Sequence, residues 1–239
     1  MMVDIDILEE ARKVFAIEIE SLLKVKDELD ENFTVLVKEI LACQGRVILT
    51  GMGKSGHIAK KIAATMSSLG TPAYFLHPAE GAHGDLGVIT KDDIILAVSY
   101  SGETDEIIQL IPSIKKIKAG LVSITCRPNS TLERHADLSI HLDIIREACM
   151  HNLAPTTSST ATLVFGDALA IVLSKMIGFQ PENFAVFHPK GSLGKRLLTK
   201  VSDLMFKDEE NPIIDGDEVL KKAIIIMSEK GLGAISVVD

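Results

Sequence analysis

Lys54 and Ser55 lie inside a run of closely spaced glycines, Gly51-Met52-Gly53-Lys54-Ser55-Gly56, directly after the apolar run Val47-Ile48-Leu49. A buried strand, a glycine turn and a helix start in that order make an anion site. Glycines let the backbone approach a ligand closely, and the first N–H groups of the helix point at it. Two hydroxyl clusters repeat this chemistry. Ser99-Tyr100-Ser101-Gly102-Glu103-Thr104 follows another apolar run and opens a helix, and Thr156-Thr157-Ser158-Ser159-Thr160 precedes a long helical stretch. Hydroxyls and amides at a helix start either cradle a phosphate or cap the helix.

The spacing of Gly51, Gly53 and Gly56 fits the dinucleotide fingerprint, which also requires an acidic residue at the end of the next strand for the ribose. Here that strand ends Phe75-Leu76-His77-Pro78, with Glu80 beyond the proline. A P-loop requires another glycine upstream, and position 48 is Ile. A small phosphosugar fits best, since one phosphate and one lysine suffice for it.

These loops need a sheet to hold them. Strands are expected at Val47–Thr50, Ala73–His77, Ile94–Ser99, Leu121–Thr125 and Leu138–Leu142, and helices at Ser55–Leu69, Glu103–Lys118, Ser130–Ala136 and Ser158–Met176. Continuous apolar strands alternating with helices predict a parallel sheet buried on both faces, with the ligand at the carboxyl ends of the strands. The apolar face of the last helix is read as Leu163, Ala170, Leu173 and Ile177. Residues 4–43 read as helical, with Leu8, Ala11, Phe15, Ile19 and Leu22 spaced by three and four. This arm either packs across a subunit interface or covers the parent sheet.

A net charge of −8 argues against nucleic acid or an anionic membrane as partner. With no Trp and 4% aromatics, stacking platforms for bases are not expected. Cys43, Cys126 and Cys149 are far apart and form no C-x-x-C pair, which suits reduced thiols. The acidic start Met1-Met2-Val3-Asp4 does not read as a leader, and the apolar runs are short for a bilayer. A cytoplasmic protein is therefore expected.

The series G-M-G-K-S-G, H-P-A-E-G-A-H-G-D-L-G, S-x-S-G-E-T, E-A-C-x-x-x-L-A-P-T-x-S and H-P-x-G-x-L-G-K-R-L resembles the arabinose-5-phosphate isomerase family, a sugar isomerase (SIS) domain followed by two CBS modules. The resemblance implies an α/β fold: a three-layer αβα sandwich with a five-stranded parallel sheet, N-terminal helices and a partial CBS-like tail. It divides the chain into an arm at 1–45, an SIS core at 46–200 and an incomplete CBS module at 201–239. It implies reversible conversion of D-arabinose 5-phosphate to D-ribulose 5-phosphate through an enediol(ate), feeding synthesis of the sugar acid Kdo, by a homotetramer built as a dimer of dimers. Two alternatives stand beside it: a sugar-phosphate-binding regulator without turnover, and an isomerase of another phosphosugar.

Aldose–ketose isomerisation needs a base, a group to stabilise the oxyanion, and help opening the sugar ring. Arabinose 5-phosphate cannot close a pyranose through its phosphorylated oxygen but forms a furanose. By resemblance the catalytic positions are Lys54, Glu106, Glu147 and His188, with Glu147 chosen as the base; Glu106, like Glu103 closer to the loop, also reads as a carboxylate that complements the helix dipole. Lys54 stabilises either the phosphate or the oxyanion. His188 opens the ring or relays protons, and in this family it can serve a neighbouring subunit. Substrate-binding positions are Ser55, Gly70, Thr71, His77, His83, Ser99, Ser101 and Thr104. His77 is also a candidate inhibitory metal site. An enediol path requires no metal, and no cofactor is expected.

Overall fold

The computed structural model describes residues 5–188, 196–197 and 199–239 of the 239-residue chain. The described residues fall into two compact units that divide between Phe187 and His188.

In the first unit, α1 (Ile7–Asp27) starts at Asp6, whose side chain accepts from the Glu9 amide at 3.0 Å. The arm expected to be helical over residues 4–43 divides at Asp30. That residue caps α2 (Glu31–Ala42) by accepting from the Asn32 amide at 2.9 Å, because a short acidic side chain satisfies a free helix N–H better than it continues a helix. Five parallel strands follow: β1 (Val47–Gly51), β2 (Ala73–Leu76), β3 (Ile94–Val98), β4 (Gly120–Thr125) and β5 (Leu138–His141), in the order β2-β1-β3-β4-β5. The order reverses between β1 and β3, so the crevice at their carboxyl ends is the place for a ligand in such a sheet.

α3 (Gly53–Ser68) joins β1 to β2, and α4 (Pro78–Ala82) follows β2. The expected helix Glu103–Lys118 is two pieces, α5 (Asp105–Ile108) and α6 (Ile111–Ile117). Pro112 has no N–H to donate and its ring crowds the preceding turn, which separates them. α7 (Thr131–His135) leads into β5, and α8 (Thr157–Met176) and α9 (Pro181–Phe187) close the unit.

Both faces of the sheet are covered. One core joins Leu36, Leu49, Ile62, Leu96, Phe165 and Leu169, from α2, α3, α8 and the strands. The other joins Ile48, Ile95, Leu110, Ile114, Leu121 and Leu132, from the strands and the α4–α7 side. Phe33 of α2 meets Phe165 of α8 edge-on, with ring centroids 5.6 Å apart. By length and composition α8 could cross a membrane, yet half of its apolar stretch is buried inside the protein. Its buried face runs through Ala161, Phe165, Leu169 and Leu173. Leu163 is only half-buried and Ile177 is exposed, contrary to the face read from the sequence.

Gly166 is where α8 crosses α3. A Cβ there would lie 2.4 Å from both Cδ1 and Cγ1 of Ile62. Gly166→Ala is therefore expected to destabilise the protein by about 1–3 kcal/mol, despite the better helix propensity of Ala. Denaturant unfolding checks this, and a variant as stable as the parent would refute the close crossing.

The second unit holds the parallel pair β6 (Ile213–Asp215) and β7 (Ser236–Val238), joined through a helix, Leu220–Lys230. In the sequence, Val219–Lys230 reads as a helix and Ala234–Val238 as a strand, whereas β6 is not read there. Residues 189–195, which carry most of the H-P-x-G-x-L-G-K-R-L motif, lie outside the described residues.

Candidate functional site

β1 delivers the chain to the carboxyl edge and turns at once into α3. A Cβ on Gly56 would sit 2.4 Å from the Gly51 carbonyl oxygen, so this turn closes only without a side chain. Gly53 takes φ +53°, a left-handed conformation that glycine adopts freely. Lys54 is the second residue of α3 and is exposed. Its ammonium forms no hydrogen bond or ion pair among the described residues. Ser55, one residue on, is half-buried.

Across the crevice, the loop after β3 is organised by its own hydroxyls. Ser99 Oγ lies 2.8 Å from Thr104 Oγ1 and accepts from the Gly102 amide at 3.0 Å, and the Glu103 amide donates to Ser101 Oγ at 3.1 Å. Gly102 has φ +67°, and a Cβ there would lie 2.0 Å from Ser130 Oγ. Glu103 and Glu106 part company here. Glu103 accepts the Thr131 amide at 2.7 Å at the start of α7, and that bond holds its carboxyl below the usual carboxylate range. Glu106 is half-buried in the first turn of α5 and its carboxylate has no bonded partner among the described residues.

The two loops share a cavity with the start of α8. Ser55, Tyr100, Thr125, Cys126, Ser158 and Ser159 are among its lining residues. Burial, and after it the negative charge of Glu147, pushes the Cys126 thiol up to about 12, so this side chain stays a thiol and is no nucleophile.

A second hollow lies on the β2 side of the glycine turn, lined by Gly53, His57, Lys60, Phe75 and His77. His77 meets Phe75 edge-on at 6.3 Å. Sequence reasoning does not single out His57 and Lys60, although Lys54, His57 and Lys60 recur every three residues along α3. His83 is the exposed C-cap of α4. Among the described residues, no three His, Cys, Asp or Glu side chains are grouped to hold a metal ion.

Gly70 and Thr71 are not brought to this edge. They precede β2, at the amino-terminal ends of the strands. Gly70 has φ +94°, and a Cβ there would lie 2.6 Å from the Phe179 ring, just beyond the C-terminus of α8. These requirements are those of a packed turn, set away from the carboxyl edge of the sheet.

Glu147 is only 4% exposed. Its Oε2 accepts from the Thr156 amide at 2.8 Å, Thr156 Oγ1 at 3.1 Å and the Ser158 amide at 3.2 Å, while Oε1 accepts from Ser158 Oγ. The carboxylate thus closes the N-terminus of α8, where free amides and the helix dipole favour a negative charge. Its own loop is held in turn: the Glu147 amide donates to Asn152 Oδ1 at 2.6 Å, and the Ala148 amide to Thr156 Oγ1 at 2.9 Å. Within that loop Cys149 Sγ accepts from the Ala154 and Leu153 amides, each at 3.0 Å, and the Ala154 bond leads in holding this thiol below its ordinary pKa.

α1 grips the same region. Thr160 Oγ1 donates to Glu18 at 3.0 Å, the Ile145 amide to Ser21 Oγ at 3.3 Å, and Lys24 pairs with Asp143. Glu147 lines a groove against α1, together with Glu10, Lys13 and Arg146, and is absent from the lining of the crevice cavity. His188 opens the second unit. The first unit therefore brings Ser55, Ser99, Ser101 and Thr104 to one edge with Lys54 beside them, and sets Glu147 behind the first turn of α8.

A SIS domain model matches residues 40–172. Arabinose 5-phosphate isomerase KdsD of Francisella tularensis subsp. tularensis is 48% identical over 229 residues, covering 95% of this chain and 70% of that protein. The protein of the same name from Escherichia coli K12 is 44% identical over 234 residues, covering 98% of this chain and 71% of its relative. Among solved structures, c3406 of E. coli CFT073 in complex with arabinose 5-phosphate superposes with a TM-score of 0.76 at 41% identity, over 79% of this chain and 100% of that one.

Proposed function

The chain belongs to the SIS-domain family of arabinose 5-phosphate isomerases, and from that premise we propose that it interconverts D-arabinose 5-phosphate and D-ribulose 5-phosphate. The observation that carries this is the c3406 structure with arabinose 5-phosphate bound, whose whole length this fold matches. The proton moves between C1 and C2 through an enediol(ate), which needs a base and a stabilised oxyanion.

Ser55, Ser99, Ser101, Thr104 and the start of α3 form the phosphate cradle. Their place in the loops at the carboxyl ends of the neighbouring strands β1 and β3, at the switch point of the sheet, supports this. Lys54 stabilises the negative charge on the substrate, consistent with an exposed ammonium that has no partner among the described residues. Glu147 supplies the base. Glu106, His77 and His83 complete the substrate edge, and His188 assists ring opening.

Gly70 and Thr71 meet substrate only if another subunit presents them, which agrees with a homotetramer. α1 supports such an assembly, because Leu8, Phe15 and Ile19 along one stripe are 66%, 70% and 53% exposed. The β6–helix–β7 unit is the beginning of a CBS module within 201–239. The protein works in the cytoplasm and feeds Kdo synthesis, with neither nucleic acid nor membrane as partner, as its charge of −8 favours.

Incubation with arabinose 5-phosphate and a panel of other pentose and hexose phosphates tests the activity. Ribulose 5-phosphate should form, with solvent deuterium entering the product. Tight binding of arabinose 5-phosphate without exchange or turnover would instead identify a sensor, and faster turnover of a different sugar phosphate would reassign the substrate.

A further inference from the structure

Glu147 and the crevice cavity are separated by one side chain. Ser158 is 4% exposed, lines the cavity beside Ser55 and Tyr100, and donates its hydroxyl hydrogen to Glu147 Oε1. The two carboxylate oxygens are not equivalent. Oε2 takes three donors and has no lone pair to spare, whereas Oε1 takes Ser158 Oγ alone and keeps room for a proton. Among the described residues nothing donates to Ser158 Oγ, so its lone pairs are open on the cavity side. On its other side Glu147 lines the groove against α1, which is open to solvent.

We propose that Ser158 is a proton relay between the sugar in the crevice and Glu147, and that the relay opens the furanose ring. The proposal rests on the isomerase function and narrows the role of Glu147 as base to the hydroxyl proton of ring opening, since Ser158 stands between it and the carbon-bound one. The anomeric hydroxyl gives its proton, through the one water this cavity has room for, to Ser158 Oγ as the Ser158 proton passes to Glu147 Oε1. The freed electron pair becomes the C1=O bond while the bond from C1 to the ring oxygen breaks, and that oxygen takes a proton from a water molecule. Glu147 then returns its proton to solvent through the α1 groove. The geometry fits an oxygen-to-oxygen transfer, since a serine hydroxyl passes protons between oxygens and is too weak a base to take one from carbon.

The test follows the initial rate of arabinose 5-phosphate conversion against enzyme concentration for the wild type, Ser158→Ala and Ser158→Thr. A variant that cannot open the ring uses only the open sugar already in solution. At low enzyme concentration Ser158→Ala should be about 100-fold slower than wild type. As its concentration rises the rate should level off at the spontaneous ring-opening rate, whereas the wild-type rate stays proportional. Ser158→Thr, which keeps the hydroxyl, should restore proportionality.

A merely structural role for Ser158 lowers the rate and leaves it proportional to enzyme throughout. That outcome, or an unchanged rate, overturns the relay and leaves the isomerase function standing. A wild type that converts nothing at any concentration overturns that function and the relay with it. If Ser158→Ala does not fold, Ser158→Gly, which also lacks the hydroxyl, is read by the same criterion.

Discussion

Replacing Glu147 by Gln should lower kcat for arabinose 5-phosphate by about 10³-fold and leave the fold in place. The hydrogen-bond pattern explains both halves. Oε2 faces three donors, so the Gln carbonyl must take that position. The new amide group then meets Ser158 Oγ, and a hydroxyl can reverse from donor to acceptor. The first turn of α8 keeps its acceptor while the base is lost. Glu147→Ala is a different experiment. It strands the half-buried amide of Thr156 and the buried amide of Ser158, at about 1–3 kcal/mol for a stranded buried group, and confuses lost chemistry with lost structure. Circular dichroism and thermal unfolding beside the kinetics separate the two. A folded Glu147→Gln enzyme with wild-type kcat would remove Glu147 from the chemistry and leave it a helix cap.

The second large effect is expected at Lys54. Lys54→Met should leave stability within about 0.5 kcal/mol, because the side chain is exposed and bonds nothing among the described residues. Its kcat/KM should fall by about 10²–10³-fold, chiefly in kcat, as for removal of one preorganised group facing a developing negative charge. Steady-state kinetics decide between its two sequence-level roles. A raised KM with kcat intact would make Lys54 a phosphate clamp and move oxyanion stabilisation elsewhere. Lys54→Arg adds a geometric check: it keeps the charge on a broader planar group, and low activity in it would show that placement matters along with charge.

The fold is legible in the sequence because its physics is local. Val47–Gly51, Ile94–Val98 and Gly120–Thr125 are continuous apolar runs, as strands buried on both faces must be. The tight turn at Gly51–Gly56 announces the anion site for the same reason, since only glycine fits where Gly56 meets the Gly51 carbonyl. Departures fall where a local signal meets a competing one. The arm reads as helical over residues 4–43 with no boundary marked, yet Asp30 satisfies the Asn32 amide and starts a new helix there.

The sequence by itself determined the alternating strands and helices, the glycine turn with its lysine, the hydroxyl loops and the family. Only the tertiary structure decided how these parts meet. It sent Glu103 to the start of α7 and left Glu106 without a bonded partner among the described residues. It placed Gly70 and Thr71 at the far end of the sheet, and it closed the first turn of α8 with Glu147, leaving Ser158 between that carboxylate and the crevice. The reason is physical. Periodicity records which side of an element faces apolar surroundings, whereas the partners of a buried carboxylate depend on where two distant loops are held by the packing beneath them. A glutamate in the loop Glu147–Pro155 reads the same in sequence whether it faces a sugar, a helix start or water.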